Sequence, residues 1–237
     1  MPRPSSASSR AQAGITDYIR TRRLSPGDAL PSEAALCDAL GFSRTSVREA
    51  IQVLSSLDIV EVRHGHGTYV SAMSLDPLIQ GLVLRISLDS ARSVATLNDV
   101  VDLRSALDHS LAGELAAAWS SRDAAELYAI VSDMTAEHAA GRPFAEQDRA
   151  FHRALLAPVS NTLIVELAGA LWDVHMAVLP TLGIPMPADI DITIRTHARI
   201  VDVLRAGDVA GYHAAVDEHY APLRRAIGQA AAGSTGV

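Results

Sequence analysis

The sequence predicts a mainly α protein: an N-terminal winged helix-turn-helix domain followed by a C-terminal all-α bundle of six or seven helices. Two short amphipathic patterns, 33–40 and 43–57, are separated by a glycine turn. A hairpin pattern follows, in which 59–63 and 68–70 flank His64-Gly-His-Gly67. From residue 97 apolar residues recur at helical period with few interruptions.

Residues 1–12, rich in Ser, Pro and Arg, are expected to form a disordered head, and they lack the apolar core of a signal peptide. A first helix is expected over 14–22 with Ile15, Tyr18 and Ile19 on one side, ended by the Pro and Gly within 24–31. Ser32 stands at the N-cap of the second helix, Gly41 stops it, and Ser43 caps the third. Arg44 and Arg48 are four apart and share a face, while Val47, Ile51 and Leu54 fall on the opposite, packing side. Helix, glycine turn and helix make the helix-turn-helix spacing, and the hairpin supplies a wing. The expected organisation is a winged domain over 13–71, a linker over 72–95 with a short helix at 78–84, a helical domain over 96–230, and a frayed tail over 231–237. Within the helical domain, helices are expected at 97–119, 123–140, 142–157, 161–179, 189–206 and 208–229, with no internal repeat.

Composition assigns the two parts different work. The 237 residues are 49% hydrophobic, enough for two cores. Through Ser71 there are 8 arginines against 7 carboxylates, and beyond it 12 against 20. Only the front part is therefore suited to a polyanion; the acidic remainder is repelled from one. The chain has no lysine, so every cation is a planar guanidinium suited to paired hydrogen bonds. A lone Cys37 excludes an internal disulfide and reads as a core residue. The most apolar stretch, 164–179, carries Glu166, Asp173 and His175, which argues against a membrane span. The expectation is a cytoplasmic protein with no membrane partner.

The chain resembles the GntR family of bacterial transcription regulators, in its FadR-type branch with an FCD effector domain. In front the resemblance rests on Leu24-Ser-Pro-Gly-Asp-Ala-Leu-Pro-Ser-Glu33, Ser43-Arg-Thr-Ser-Val-Arg-Glu-Ala50 and Gly65-His-Gly-Thr-Tyr-Val70. Behind, it rests on Arg104, Asp148-x-x-Phe-His152, Asn161, His197, and Ala206-Gly-Asp208 leading to His219. It implies that Arg44, Thr45, Ser46 and Arg48 contact DNA from the recognition helix and that His64 and Gly65 form the wing tip. Where the family often has Arg two residues after Ser32, this chain has Ala34. Arginine in the major groove favours guanine, each bidentate pair discriminating by about 1–3 kcal/mol. Alone, Arg44 and Arg48 read equally well as a solvated face, and His64 and His66 as an exposed hairpin tip or a His-x-His metal fragment.

Asp148 and His152 stand one helical turn apart and can reach one ion or merely hydrogen-bond on a surface. The resemblance adds His197 and His219, implying a divalent metal held by Asp148, His152, His197 and His219. That donor set suits Zn or Ni and accepts Mn or Fe. A small carboxylate effector completing the metal's shell would have Arg104 to grip its other end, unless Arg104 pairs with Asp108 on its own helix. Asn161 and His175 are the further candidate effector contacts. His109, His138 and His213 have no such company in the sequence, and Trp119 and Trp172 fall at apolar core positions. The expected protein is a homodimeric repressor on palindromic double-stranded operator DNA, controlled by a small organic acid. A metal-dependent hydrolase with a DNA-binding appendage is the rival, but the chain has no His-Glu-x-x-His and no Gly-x-Ser-x-Gly. A purely architectural DNA binder would not require the polar cluster.

Overall fold

Serine and glycine set the helix boundaries of the front unit in the computed structural model, which describes residues 6–89 and 92–234. The chain divides into two units, Met1–Leu78 and Ile79–Val237. Helix α1 (Ala7–Arg22) starts where the Ser6 hydroxyl accepts the Ser9 N–H at 3.0 Å. Helix α2 (Glu33–Leu40) starts where the Ser32 hydroxyl accepts from Ala35, and it ends at Gly41, whose φ of 73° is left-handed and suits a residue without Cβ. Helix α3 (Arg44–Ser56) is capped by Ser43, which accepts the Ser46 N–H at 3.2 Å. Ala11, Ile15 and Ile19 of α1 meet Val47, Ile51 and Leu54 of α3 in one core.

Strands β1 (Val60–Arg63) and β2 (Gly67–Val70) pair antiparallel, from Val60 opposite Val70 to Arg63 opposite Gly67. The expected loop before Ser32 also joins this sheet: Ala29 bridges Tyr69, and the Leu30 N–H donates to the Thr68 carbonyl at 2.8 Å. Asp58, at a left-handed φ of 53°, closes the base by accepting from the Ser71 hydroxyl and the Ser74 N–H. Those hydrogen bonds hold its carboxyl below the usual range.

Two departures from expectation concern chain termini and connections. Helix α1 begins at Ala7 rather than 14, because Ser6 caps it and Ala11 packs one turn below Ile15; of the expected disordered head, residues 1–5 lie outside the described residues. The expected linker is largely helix α4 (Asp76–Leu88), with Pro77 tolerated in its first turn and Ile86 buried.

In the second unit, α5 (Ser93–Ser110) and α6 (Ala112–Trp119) replace the single helix expected over 97–119. Their junction is Leu111, whose N–H reaches back only to Asp108, while the Ser110 hydroxyl takes the Leu107 carbonyl. Helices α7 (Ala125–Ala139), α8 (Ala145–Leu156), α9 (Thr162–Thr181) and α10 (Ile190–Arg205) follow the expected order. Helix α11 (Val209–Ser234) continues into the segment expected to fray, and residues 235–237 lie outside the described residues. Helix α11 packs along α10 and α5, and α9 packs along α5 and α8. Their shared core includes Leu97, Leu115, Phe151, Val174, Leu204 and Tyr212. Helix α9 is long and apolar enough to cross a membrane by length and composition, yet Trp172, Val174, His175 and Val178 are buried within the bundle.

Replacing Ser43 by Ala removes the α3 cap and is expected to destabilise the front unit by about 1 kcal/mol. Hydrogen exchange of the α3 amides reads this directly; unchanged protection would contradict the cap's role.

Candidate metal centre and nucleic-acid interface

The first turn of α3 presents Arg44 and Thr45 to solvent, and no side chain among the described residues pairs with Arg44. Arg48, one turn on, is gripped by Glu33 of α2, its Nη2 2.9 Å from Oε2. Both partners are exposed, so this pair sets orientation more than stability. Ser46 corrects the sequence reading. It is buried, and its hydroxyl bonds that of Ser43 at 3.0 Å, so it helps build the helix start and does not face outward with Arg44. At the hairpin tip His64, Gly65 and His66 are exposed, with Gly65 at φ 78°. Behind the tip Arg63 pairs with Glu61 and lies 4.3 Å from the Tyr69 ring centroid, which stiffens the strand ends.

In the helical unit, three helices bring Asp148, His152, His197 and His219 together. Asp148 and His152 share one face of α8, His197 projects from α10 and His219 from α11. The ring centroids of His197 and His219 are 4.6 Å apart, those of His152 and His219 5.2 Å. One ligand nitrogen from each of the three imidazoles lies within 4.8 Å of the others. His197 Nε2 is 3.1 Å from Asp148 Oδ1, and His152 Nε2 is 3.9 Å from the same oxygen.

The decisive observation is what these nitrogens lack. His152 Nε2, both nitrogens of His197 and His219 Nδ1 are buried and make no well-directed hydrogen bond, the 3.1 Å approach of His197 Nε2 to Asp148 Oδ1 included. A buried polar atom left unsatisfied costs about 1–3 kcal/mol, so three facing imidazoles with such atoms call for a common partner, to which each can offer one nitrogen. Burial lowers the His152 pKa to about 3, against the opposing pull of Asp148. Burial and then the His197 and His152 imidazoles push His219 well below its ordinary value. Burial would raise the Asp148 carboxyl, but the surrounding imidazoles outweigh it and hold it well below the usual range. Neutral imidazole and ionised carboxylate are the protonation states a divalent cation requires. The residues therefore fit the group.

Trp172 was legible only as core. It is buried, and its indole N–H also donates to Asp148 Oδ2 at 2.5 Å, fixing the carboxylate from behind as partners of metal ligands do. Arg104 does not pair with Asp108. It donates to His175 Nδ1 at 3.0 Å, while Asp108 accepts from the Tyr220 hydroxyl at 2.7 Å. Burial, and then Arg104, depress His175 well below its ordinary pKa, which leaves Nδ1 free to accept. Arg104, His175, Asp148 and His219 line one cavity of about 330 Å³. Asn161 does not line it: exposed at the start of α9, it accepts the Ile164 N–H at 3.3 Å as an N-cap. His109 and His213 are also not solitary. Their Nδ1 atoms lie 2.7 Å apart across α5 and α11, and His109 Nε2 is 3.1 Å from Asp217.

A winged helix-turn-helix led by an exposed arginine, in one chain with an all-helical domain that holds a mostly apolar cavity with one polar region, is the organisation of a transcription regulator. Residues 7–70 match the family of bacterial regulatory proteins named gntR, and residues 99–222 match the FCD domain. The chain belongs to the GntR family, with an FCD domain behind its DNA-binding domain. A galactonate operon transcriptional repressor of Escherichia coli is 25% identical over 183 residues, spanning 77% of this chain and 80% of that protein. The regulator LutR of Bacillus subtilis is 26% identical over 205 residues, spanning 85% and 92%. The solved structure of Streptococcus agalactiae GntR aligns with a TM-score of 0.64 at 26% identity, over 92% of this chain and 99% of that one. Matched families and relatives are regulators, so the chain is no enzyme.

Between pH 6.5 and about 3 an unfolded His152 carries a proton that the folded one refuses. The unfolded state then binds more protons, so stability falls as pH falls through this window. Chelator-treated protein should show a lower urea midpoint at about pH 5 than at about pH 7.5, and His152→Gln should shrink the difference. An equal or higher midpoint at the lower pH would reject the buried neutral imidazole.

Proposed function

We propose that the protein is a homodimeric, cytoplasmic repressor that binds palindromic double-stranded operator DNA and changes its affinity when a small carboxylate enters the helical domain. The observation that carries the sensing half is the set of orphaned imidazole nitrogens beside a cavity that also contains Arg104. Asp148, His152, His197 and His219 would hold a divalent cation, Zn, Ni, Mn and Fe all being compatible with the donors. Bound there, the cation supplies a Lewis-acidic position for a carboxylate oxygen. Arg104 offers the second anchor, its guanidinium held toward His175 in a buried setting where a charged hydrogen bond is strong.

For DNA, the support is the exposed, unpaired Arg44 and the Arg48 fork oriented by Glu33. Thr45 and the tip residues His64 and Gly65 are exposed and would supply backbone and groove contacts, with Ser46 supporting them by building the helix start. Dimerisation follows from the reading itself, since one short recognition helix buries too little to specify an operator and two-fold symmetry places two on a palindrome. Effector and operator affinities are linked reciprocally, whichever direction the shift takes.

Arg44→Ala should weaken binding to operator selected from random duplexes by about tenfold or more, with circular dichroism and dimer mass unchanged. Undiminished specific binding in a competition gel shift would reject the recognition helix.

A further inference from the structure

The cavity has one polar region and is apolar elsewhere. Its polar side chains are Arg104, Asp148, His175, Thr193, His219 and Tyr220. These form one connected group. Arg104 donates to His175 and lies 5.4 Å from the Tyr220 ring, which is 5.0 Å from that of His219. Thr193 donates to the His219 carbonyl, and Trp172 links the group to Asp148, packing edge-on 5.8 Å from His175 while donating to that carboxylate.

The remaining lining is hydrocarbon and thioether, with Phe144, Met176, Leu179 and Leu223 prominent, and four lining residues are prolines: Pro143, Pro180, Pro185 and Pro187. Proline has no N–H, so these stretches of wall offer no backbone donor at those positions. The two hydroxyls in the lining already spend their protons elsewhere. The Tyr220 hydroxyl donates to Asp108 and the Thr193 hydroxyl to a carbonyl. A ligand carrying hydroxyls along its length would leave them without partners against this wall, whereas a hydrocarbon body would displace water from it.

We infer that the effector is a compact monocarboxylate with a hydrocarbon body, alkyl or aromatic, and not a polyhydroxylated sugar acid. Its carboxylate meets the Arg104 and histidine region, and its body lies among Phe144, Met176, Leu179 and Leu223. The volume of about 330 Å³ is at the small end for ligand cavities and suits a short acid. This rests on the cavity being the effector site proposed above.

The test is calorimetry on the full chain loaded with Zn²⁺, titrated with acetate, butanoate, hexanoate and phenylacetate, and in parallel with galactonate and gluconate. Affinity should rise about threefold to fourfold per methylene from acetate to hexanoate, and the sugar acids should bind no tighter than acetate. Arg104→Gln should weaken the whole alkyl series by a similar factor without altering its slope. A flat series, or galactonate binding tighter than hexanoate, would overturn the hydrocarbon body while leaving the carboxylate anchor intact. Binding by none of the acids would overturn the effector site itself, and with it this inference.

Discussion

The structure of the helical domain turns on three imidazoles, two buried and one half-buried, whose nitrogens gather within 4.8 Å of one another beside Asp148. His197 is wholly buried, packed edge-on to Phe151 at 4.5 Å, and neither of its ring nitrogens is satisfied. A core that only needed volume would have placed an aliphatic residue there, because orphaned polar atoms in low dielectric are a net loss. Retaining them on three separate helices makes sense when a cation completes the set and ties α8, α10 and α11 together. Trp172 extends that logic to α9 by holding Asp148 in place. Four helices thereby contribute side chains to one polar cluster beside the cavity.

The front unit follows a different economy. Its core is small, and much of its definition comes from caps, a left-handed glycine and the pairing of residues 27–30 with the hairpin. This leaves Arg44 without a side-chain partner among the described residues. Arg48 is held by Glu33, so the two arginines that look equivalent in sequence differ in freedom. With the acidic excess confined to the helical part, electrostatics steers a polyanion to one end of the chain only.

Much of this was legible in the residues. Ser32, Gly41 and Ser43 marked their helix ends because capping is a local interaction, and the hairpin announced itself by two glycines between alternating strands. The helix over Asp76–Leu88 was underread, since its burial depends on a bundle surface that only the tertiary fold creates. Ser46 and Asn161 were misplaced for a shared reason: a hydroxyl or amide near a helix start serves a cap or a ligand equally well in sequence, and here both serve local structure. Trp172 and the His109–His213 pair were missed because their partners lie 24 and 104 residues away. Spacing along one helix revealed Asp148 and His152, and the family resemblance added His197 and His219; their convergence is what only the fold displays.

The most direct measurement of the central claim is elemental analysis of the purified full chain after equilibration with a mixture of Zn, Ni, Mn and Fe and removal of free ions. One tightly held divalent ion per chain is expected, lost in His197→Ala protein that keeps its helicity. A chain that retains no ion under these conditions would contradict the reading of the buried imidazole cluster as a metal centre.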